Sequence, residues 1–536
     1  MEPHHLRTPK TDQAVLAVPP LEQAARLLST NAKHLARWDY DFQGRRSSRL
    51  RDFARTQILE RSREYLARFG VALPDTLDPQ LPLVVTGHQP ELFHPGVWIK
   101  NFAIAAIANE QGGTALNLIV DNDIPKSSTI RVPHAVGSRL QSAFVEFDAW
   151  SGEVPYEDWT VADESLFASF GRRVRETLGD LVPDPMIDDA WPEAIRAGAA
   201  TDRIGYRFAA ARHALEQSFG VNNAEIPLSV VCDTEAFGWF ACHLLAQLPR
   251  FQSIHNASLA RYRATYGIRS KNHPVPRLDR EGEWLESPFW AWRAEAPRRR
   301  PLMARQGRTT LDLRIAGESE VLGSLRLTPD REACCAVEEL QDLIRRGVRI
   351  RTRALTTTMF ARLLLGDLFV HGIGGAKYDE LGDDVIREFF GIEPPDYMTL
   401  SMTLWLDLKA DPSAASQLKA LDRARRDLTF NPDRLLARTD DDEIQSLVAA
   451  KRAAVAAPVG TRRDRIARFH QIRRQNALMA RYVEDEFRKL VRDGTRLGEI
   501  ESRNAVAMSR EWAFVLHSRS RWQGTIETIF PSAVRT

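Results

Sequence analysis

The eleven residues 86–96, Thr-Gly-His-Gln-Pro-Glu-Leu-Phe-His-Pro-Gly, hold two histidines, a glutamine and two glycines immediately before an apolar run. Imidazoles and free backbone N–H groups at a helix start stabilise negative charge building on a phosphate, so this stretch suits nucleotidyl or phosphoryl transfer. His88 and His94 are the catalytic candidates, and Thr86, Gly87, Gln89 and Gly96 are candidate contacts to a nucleotide. Asp121-Asn122-Asp123 adds two carboxylates that suit a magnesium ion or a substrate amine. Asp121 and Asp123 join the catalytic set and Asn122 the substrate contacts; an Asp/Asn turn after a strand is the plain alternative. The run His371-Gly372-Ile373-Gly374-Gly375-Ala376-Lys377-Tyr378 is the third group. Its glycines let backbone approach a phosphate, Lys377 is a point charge, and His371 and Tyr378 are placed at the substrate. It matches neither GxxxxGK[ST] nor GxGxxG, and a strand-to-helix turn requiring positive φ explains the glycines equally well. Arg351, Arg353 and Arg362 bracket Thr356-Thr357-Thr358, a composition suited to an anion, and Arg353 is assigned to substrate. No residue is assigned to a resident metal.

These groups need a scaffold that brings strand ends to one edge. Leu83, Val84 and Val85 predict a buried strand over 82–86. Pro95, followed by Trp98, Phe102, Ile104 and Ile107 and stopped by Gly112-Gly113, predicts a helix over 95–111. The run ALNLIV predicts a second strand over 115–120. Strand, helix and strand in this order form a βαβ unit with parallel strands and a right-handed crossover, so His88 and His94 are expected to face Asp121 and Asp123 across a cleft. A further strand-to-helix step is expected over 226–248, with Asp233 or Thr234 capping the helix. A helix from Met359 to Leu365, a short strand from Asp367 to Val370 and the glycine turn complete the core.

The rest divides into a helical segment (1–78) packing on the core, a first core half (79–133) and a mainly helical insertion (134–225). The remaining core (226–404) carries an irregular or β-rich insertion around Trp284, Trp290 and Trp292 (251–310), and a helical hairpin or coiled-coil arm (405–536) follows. One stripe from Ile466 to Leu490 predicts a long helix in that arm. The fold class is α/β.

A chain of 536 residues is long enough for roughly three to four domain-sized units. Its 43% hydrophobic and 27% charged residues are those of a globular protein. No apolar run approaches the roughly 20 residues of a membrane span, and the N-terminus shows no secretory signal, so no membrane partner and a cytoplasmic location are expected. The 73 basic and 71 acidic residues give a formal charge of +2, no general attraction for nucleic acid. Cys232, Cys242, Cys334 and Cys335 lack zinc-site spacing and are expected to be reduced.

His94-Pro95-Gly96 is similar to the first half of the HxGH signature of class I synthetases, with Val97 where the second histidine would stand. More broadly, VVTGHQPELFHPGVWIKNFAIAAI and VHGIGGAKYDE resemble the two core signatures of the bacillithiol-biosynthesis cysteine-adding enzyme family. Thr86, Gly87, Gln89, Pro90, Leu92 and Phe93 stand as in that family's pattern. His88 replaces its first glutamine, His94-Pro95 a small-residue pair, VDNDIPK an acidic run, and His371 and Lys377 a proline-glutamate turn. The resemblance implies a Rossmann-like, nucleotidyltransferase-type core in a divergent member, with ATP or ADP and magnesium as possible cofactors and a homodimer through the helical arm. The implied activity is a nucleotide-dependent ligase or transferase joining a carboxylate to an amine-bearing small molecule. A non-catalytic binding or scaffold protein on the same fold is the alternative, and a glycan-pathway enzyme a third reading.

Overall fold

The computed structural model describes residues 6–73, 78–137, 139–269 and 275–531. The chain divides into two compact units. The first holds the chain up to Val132, Ala143–Leu406 and the segment from Arg510 on; the second holds Pro133–Ser142 and Asp407–Ser509.

The first unit is built on a six-stranded sheet in the order Val15–Val18, Tyr397–Met402, Leu368–His371, Leu83–His88, Thr114–Ile119, Ala224–Pro227. The last five are parallel, and Val15–Val18 closes one edge antiparallel. Leu83, Val84 and Val85 are fully buried, as a central parallel strand covered on both faces requires. Counted along the chain, the parallel strands lie in the order 5-4-1-2-3, so the winding reverses between Leu83–His88 and Leu368–His371. Ligand crevices of open α/β sheets form at that reversal, outside the carboxyl ends of the strands.

Helix Pro95–Glu110 follows the first parallel strand and buries nearly every side chain from Pro95 to Ala108. Trp98 and Phe102 are fully buried, each contributing about 1.5–3 kcal/mol, and Trp98 stacks on Trp522 at 4.5 Å. Helix Ser47–Ala67 buries Leu50, Ala54 and Ile58, and its Ser62 hydroxyl donates to the Glu225 carbonyl at 2.8 Å. A second, antiparallel sheet has the order Val321–Leu325, Leu311–Ile315, Ala296–Gln306, Trp284–Arg293, Val348–Thr352.

Several elements depart from the sequence reading. The 226–248 step is a four-residue strand, Ala224–Pro227, followed at once by helix Leu228–Cys232. The β-branched run turns helical because the Asp121 carboxylate accepts from the Ser229 N–H at 2.8 Å, satisfying an end amide from outside the segment. The 251–310 stretch is β-rich as expected, with strands Trp284–Arg293 and Ala296–Gln306 whose pairing carries register shifts, but it begins inside helix Leu248–Thr265. Gly372–Gly375 do not form a turn: helix Ile373–Val385 starts there, and Gly372, Gly374 and Gly375 are not among the positive-φ glycines. Within the second unit, the expected long helix is two, Arg462–Ala480 and Glu484–Ala507, separated by the 3-10 turn Arg481–Val483. The small buried cluster of that unit comprises Leu436, Ile444, Val448, Met479 and Val483.

Candidate functional site

At the reversal of strand order lies a cleft of about 460 Å³. The ends of Leu83–His88 and Leu368–His371 and the helix starts that follow them form its walls. The two helix starts differ. His94 caps the first, its Nδ1 accepting from the Gly96 N–H at 3.0 Å. Among the described residues no side chain caps the second at Gly372, and a methyl group at Gly372 or Gly374 would meet nothing within 4 Å. First-turn amides of a 13-residue helix therefore open onto the cleft, the backbone arrangement that binds phosphate.

Lys100 and Arg510 bring positive charge to this space. Lys100 sits one turn into helix Pro95–Glu110, is 3% exposed, and donates from Nζ to the Gly87 carbonyl at 2.9 Å. Burial lowers its pKa to about 7. Arg510 donates from Nη2 to the Ser401 hydroxyl at 3.1 Å, and burial lowers its pKa as well. The packing at Gly96 is close: a Cβ there would fall 2.4 Å from the Met402 carbonyl oxygen and 2.3 Å from Arg510 Nη2. Both histidines of the first turn are neutral near pH 7. Burial, reinforced by Lys100, brings His88 down to about 3, and burial, Arg510 and Lys100 bring His94 down to about 4.

His371 is 3% exposed, with Nε2 2.7 Å from Asp379 Oδ2. Arg362 Nη1 also reaches Asp379 at 3.0 Å, and the Thr358 hydroxyl donates to it at 2.6 Å. His371 Nδ1 lies on the other side of the ring, beside the Gly375 backbone, where a Cβ would come within 2.8 Å of it. Burial lowers the His371 pKa against the opposing pull of Asp379.

The structure brings Gly87, His88, Gln89, His94, Gly96, His371, Gly372, Gly374, Gly375 and Tyr378 to this cleft. The other predicted residues lie elsewhere. Thr86 is buried in the sheet, its hydroxyl donating to the Val370 carbonyl at 2.7 Å. Asp121 does not face the cleft: it is fully buried and takes up the Ser229 N–H and hydroxyl and the Tyr206 hydroxyl. Lys377 is exposed on helix Ile373–Val385 and outside the lining, so Lys100 stands in the cleft where Lys377 was expected. Asn122, Asp123 and Arg353 line a neighbouring cavity of about 260 Å³, which shares Gln89 with the cleft. There the Gln89 amide donates to Asp123 at 2.8 Å and Arg299 pairs with Asp123 at 2.9 Å. Burial pushes the Asp123 carboxyl up, but Arg299 and the hydrogen bonds outweigh it and hold the pKa low.

Sequence reasoning missed Lys100, Arg510, Ser401 and Asp379. Lys100 carried a usable signal, as the one ordinarily charged side chain inside PGVWIKNFAIAAIA. Arg510 carried none, because it arrives from a segment more than four hundred residues away in the chain. Compared with known protein families and with curated proteins, the chain matches none.

Proposed function

We propose that the protein is a nucleotide-dependent ligase or transferase that joins a carboxylate to an amine-bearing small molecule, using ATP or ADP in the cleft at the strand-order reversal. The observation that carries this reading is the meeting of an uncapped helix start with the buried Lys100 ammonium in one cleft. The reversal in strand order is also that of Rossmann-like nucleotide-binding sheets, which supports such a core. Kinship with the bacillithiol-biosynthesis cysteine-adding enzymes belongs to the same proposal and rests on Thr86, Gly87, Gln89, Pro90, Leu92 and Phe93.

In this mechanism the amides of Ile373 to Gly375, Lys100 and Arg510 hold phosphate oxygens and balance their charge. A bound nucleotide would supply the phosphoryl or nucleotidyl group that activates the carboxylate; the rest of the nucleotide leaves in that step, and the activating phosphate group leaves the acyl carbon when the amine takes its place. His371, whose Nε2 lies 2.7 Å from Asp379, accepts a proton at Nδ1 from the attacking amine. His94 positions the first helix start through its cap, and neutral His88 is an uncharged hydrogen-bonding group in the cleft wall. The donor set does not fit a protein-held magnesium ion. Glu511 is the one carboxylate in the lining among the described residues, and it is 61% exposed.

The test is thermal stability with millimolar ADP or ATP, followed by phosphate or pyrophosphate release with amino-acid pools. Nucleotide raises Tm, and Lys100→Met removes most of the rise. Absence of any shift in the unmodified protein overturns the reading. A non-catalytic binding protein is the second reading, favoured by the engagement of Asp121 entirely with its neighbours. A nucleotide-dependent Tm rise without turnover of any substrate selects it. The proposal includes a homodimer through the helical unit, where Phe430 and Phe469 are more than half exposed; sedimentation equilibrium tests that part.

A further inference from the structure

The cavity beside the cleft contains a buried cation that its neighbours only partly satisfy. Arg353 has a side chain 10% exposed, and its Nη2 donates to Glu286 Oε1 at 2.6 Å. Its Nε and Nη1 are buried with no hydrogen-bond partner among the described residues. A guanidinium has five N–H donors, and leaving buried ones unmade carries the desolvation cost of each without a compensating bond. Burial lowers the Arg353 pKa, with Glu286 opposing it. The guanidinium carbon lies 4.1 Å from the centre of the Trp290 ring, and Arg299 lies over the same indole at 4.9 Å. Trp290 thus stands beside donors that lack an acceptor among the described residues.

We infer that this cavity is a carboxylate-anchoring subsite, in which Arg353 holds the acid group of a small organic acid against the Trp290 ring. Charge and shape decide between anions. Asp123 and Glu286 already compensate Arg299 and Arg353, so a single additional negative charge is accommodated better than a phosphate dianion. Trp290, Phe251, Leu278 and Pro288 supply the apolar part of the wall, suited to a carbon skeleton. Burial holds His255 neutral, its pKa lowered to about 4, so it adds no second full charge.

The shared wall gives the acid its orientation. Gln89, Val120, Ala354 and Thr357 line both this cavity and the phosphate-binding cleft. An acid anchored at Arg353 therefore directs its other end toward Gln89 and the cleft. The carboxylate on Arg353 is a handle, and the reacting group of the co-substrate is a second functional group, an amine or hydroxyl, at the far end. This orientation rests on the ligase or transferase reading; the anchoring subsite does not.

The experiment measures the Tm of the full chain with lactate, benzoate, inorganic phosphate and, separately, ADP. The variants are Arg353→Lys and the paired replacement Arg353→Leu with Glu286→Leu, which removes both charges together and leaves no orphan carboxylate. Lactate or benzoate raises the Tm of the unmodified protein by about 2 °C or more at saturation, and the rise disappears in the paired variant while the ADP response persists. Arg353→Lys retains a weakened response. The inference is overturned if neither carboxylate shifts Tm, if the shift survives the paired replacement, or if phosphate alone acts through Arg353. An ADP response that fails while the carboxylate response holds overturns the nucleotide reading and leaves this subsite standing.

Discussion

Lys100 shows how far a residue's chemistry depends on its surroundings. A lysine in water keeps its charge to about pH 10.4, whereas here burial lowers the pKa to about 7. Between these two values the unfolded chain binds more protons than the folded one, so this group makes stability rise with pH across that window. Below about pH 7 the full penalty of holding a buried ammonium is present. Urea unfolding at pH 6 and pH 9 should show the unmodified protein gaining on the order of 2 kcal/mol relative to Lys100→Met over that interval. At pH 6 the variant should be the more stable protein and the weaker nucleotide binder, the combination expected when a site is maintained at a cost in stability. Equal pH slopes in the two proteins would show that Lys100 is not the titrating group. At the same scale, Asp121 illustrates why a residue type alone misleads. Its position after a strand suited catalysis, yet Ser229 and Tyr206 occupy its oxygens.

At the scale of elements, the two helix starts make opposite demands on glycine. Gly96→Ala places a methyl against the Met402 carbonyl oxygen, which is strand backbone and cannot swing aside. The cost should be about 2 kcal/mol or more, read as a lower urea midpoint. Gly374→Ala meets open space at ordinary φ, so stability should hold or rise by up to about 1 kcal/mol through reduced chain entropy in the unfolded state. The same methyl stands beside the first-turn amides, so the ADP-induced Tm rise should shrink. A full ADP response in Gly374→Ala would remove that helix start from the site. The strand-helix-strand order around 83–119 was legible because buried apolar runs, Pro95 and Gly112-Gly113 act locally. Helix Leu228–Cys232 was not, because the Asp121 carboxylate that satisfies its amide lies more than a hundred residues away.

At the scale of the whole molecule, a buried ionic cluster ties the layers of the first unit together. Arg212 donates to Glu216 at 2.8 and 2.9 Å and to Glu225 at 2.9 Å. Glu216 accepts from Trp98 and Asn101 at 2.7 Å each, and Glu225 accepts from Asn117 at 2.9 Å. Helix Ile204–Gln217, helix Pro95–Glu110 and two strands thus meet at one cation. Arg212→Leu leaves two carboxylates buried without their partner and should cost about 3–5 kcal/mol in equilibrium unfolding. A loss below 1 kcal/mol would show that the cluster is not holding the layers. The second unit has a far smaller buried cluster and many exposed apolar side chains, among them Phe430, Ile466 and Phe469. Amide exchange should therefore be fastest, and the first proteolytic cuts should fall, within Asp407–Ser509. First cuts within the parallel sheet would contradict this order of local stability.

By itself the sequence determined that this is an α/β protein, and that a strand, a polar turn and a helix follow one another around Pro82 to Lys100. Apolar periodicity, proline and glycine act over a few residues, so they survive reading without coordinates. Only the tertiary structure decided which polar groups enter the cleft. Burial, pairing and orientation depend on distant partners: Asp379 holds His371, Arg510 arrives beside Gly96, and Lys377 lies outside the cleft that Lys100 enters. The free energy of a charged group is set by the low-polarity surroundings it is folded into, and those are assembled from the whole first unit.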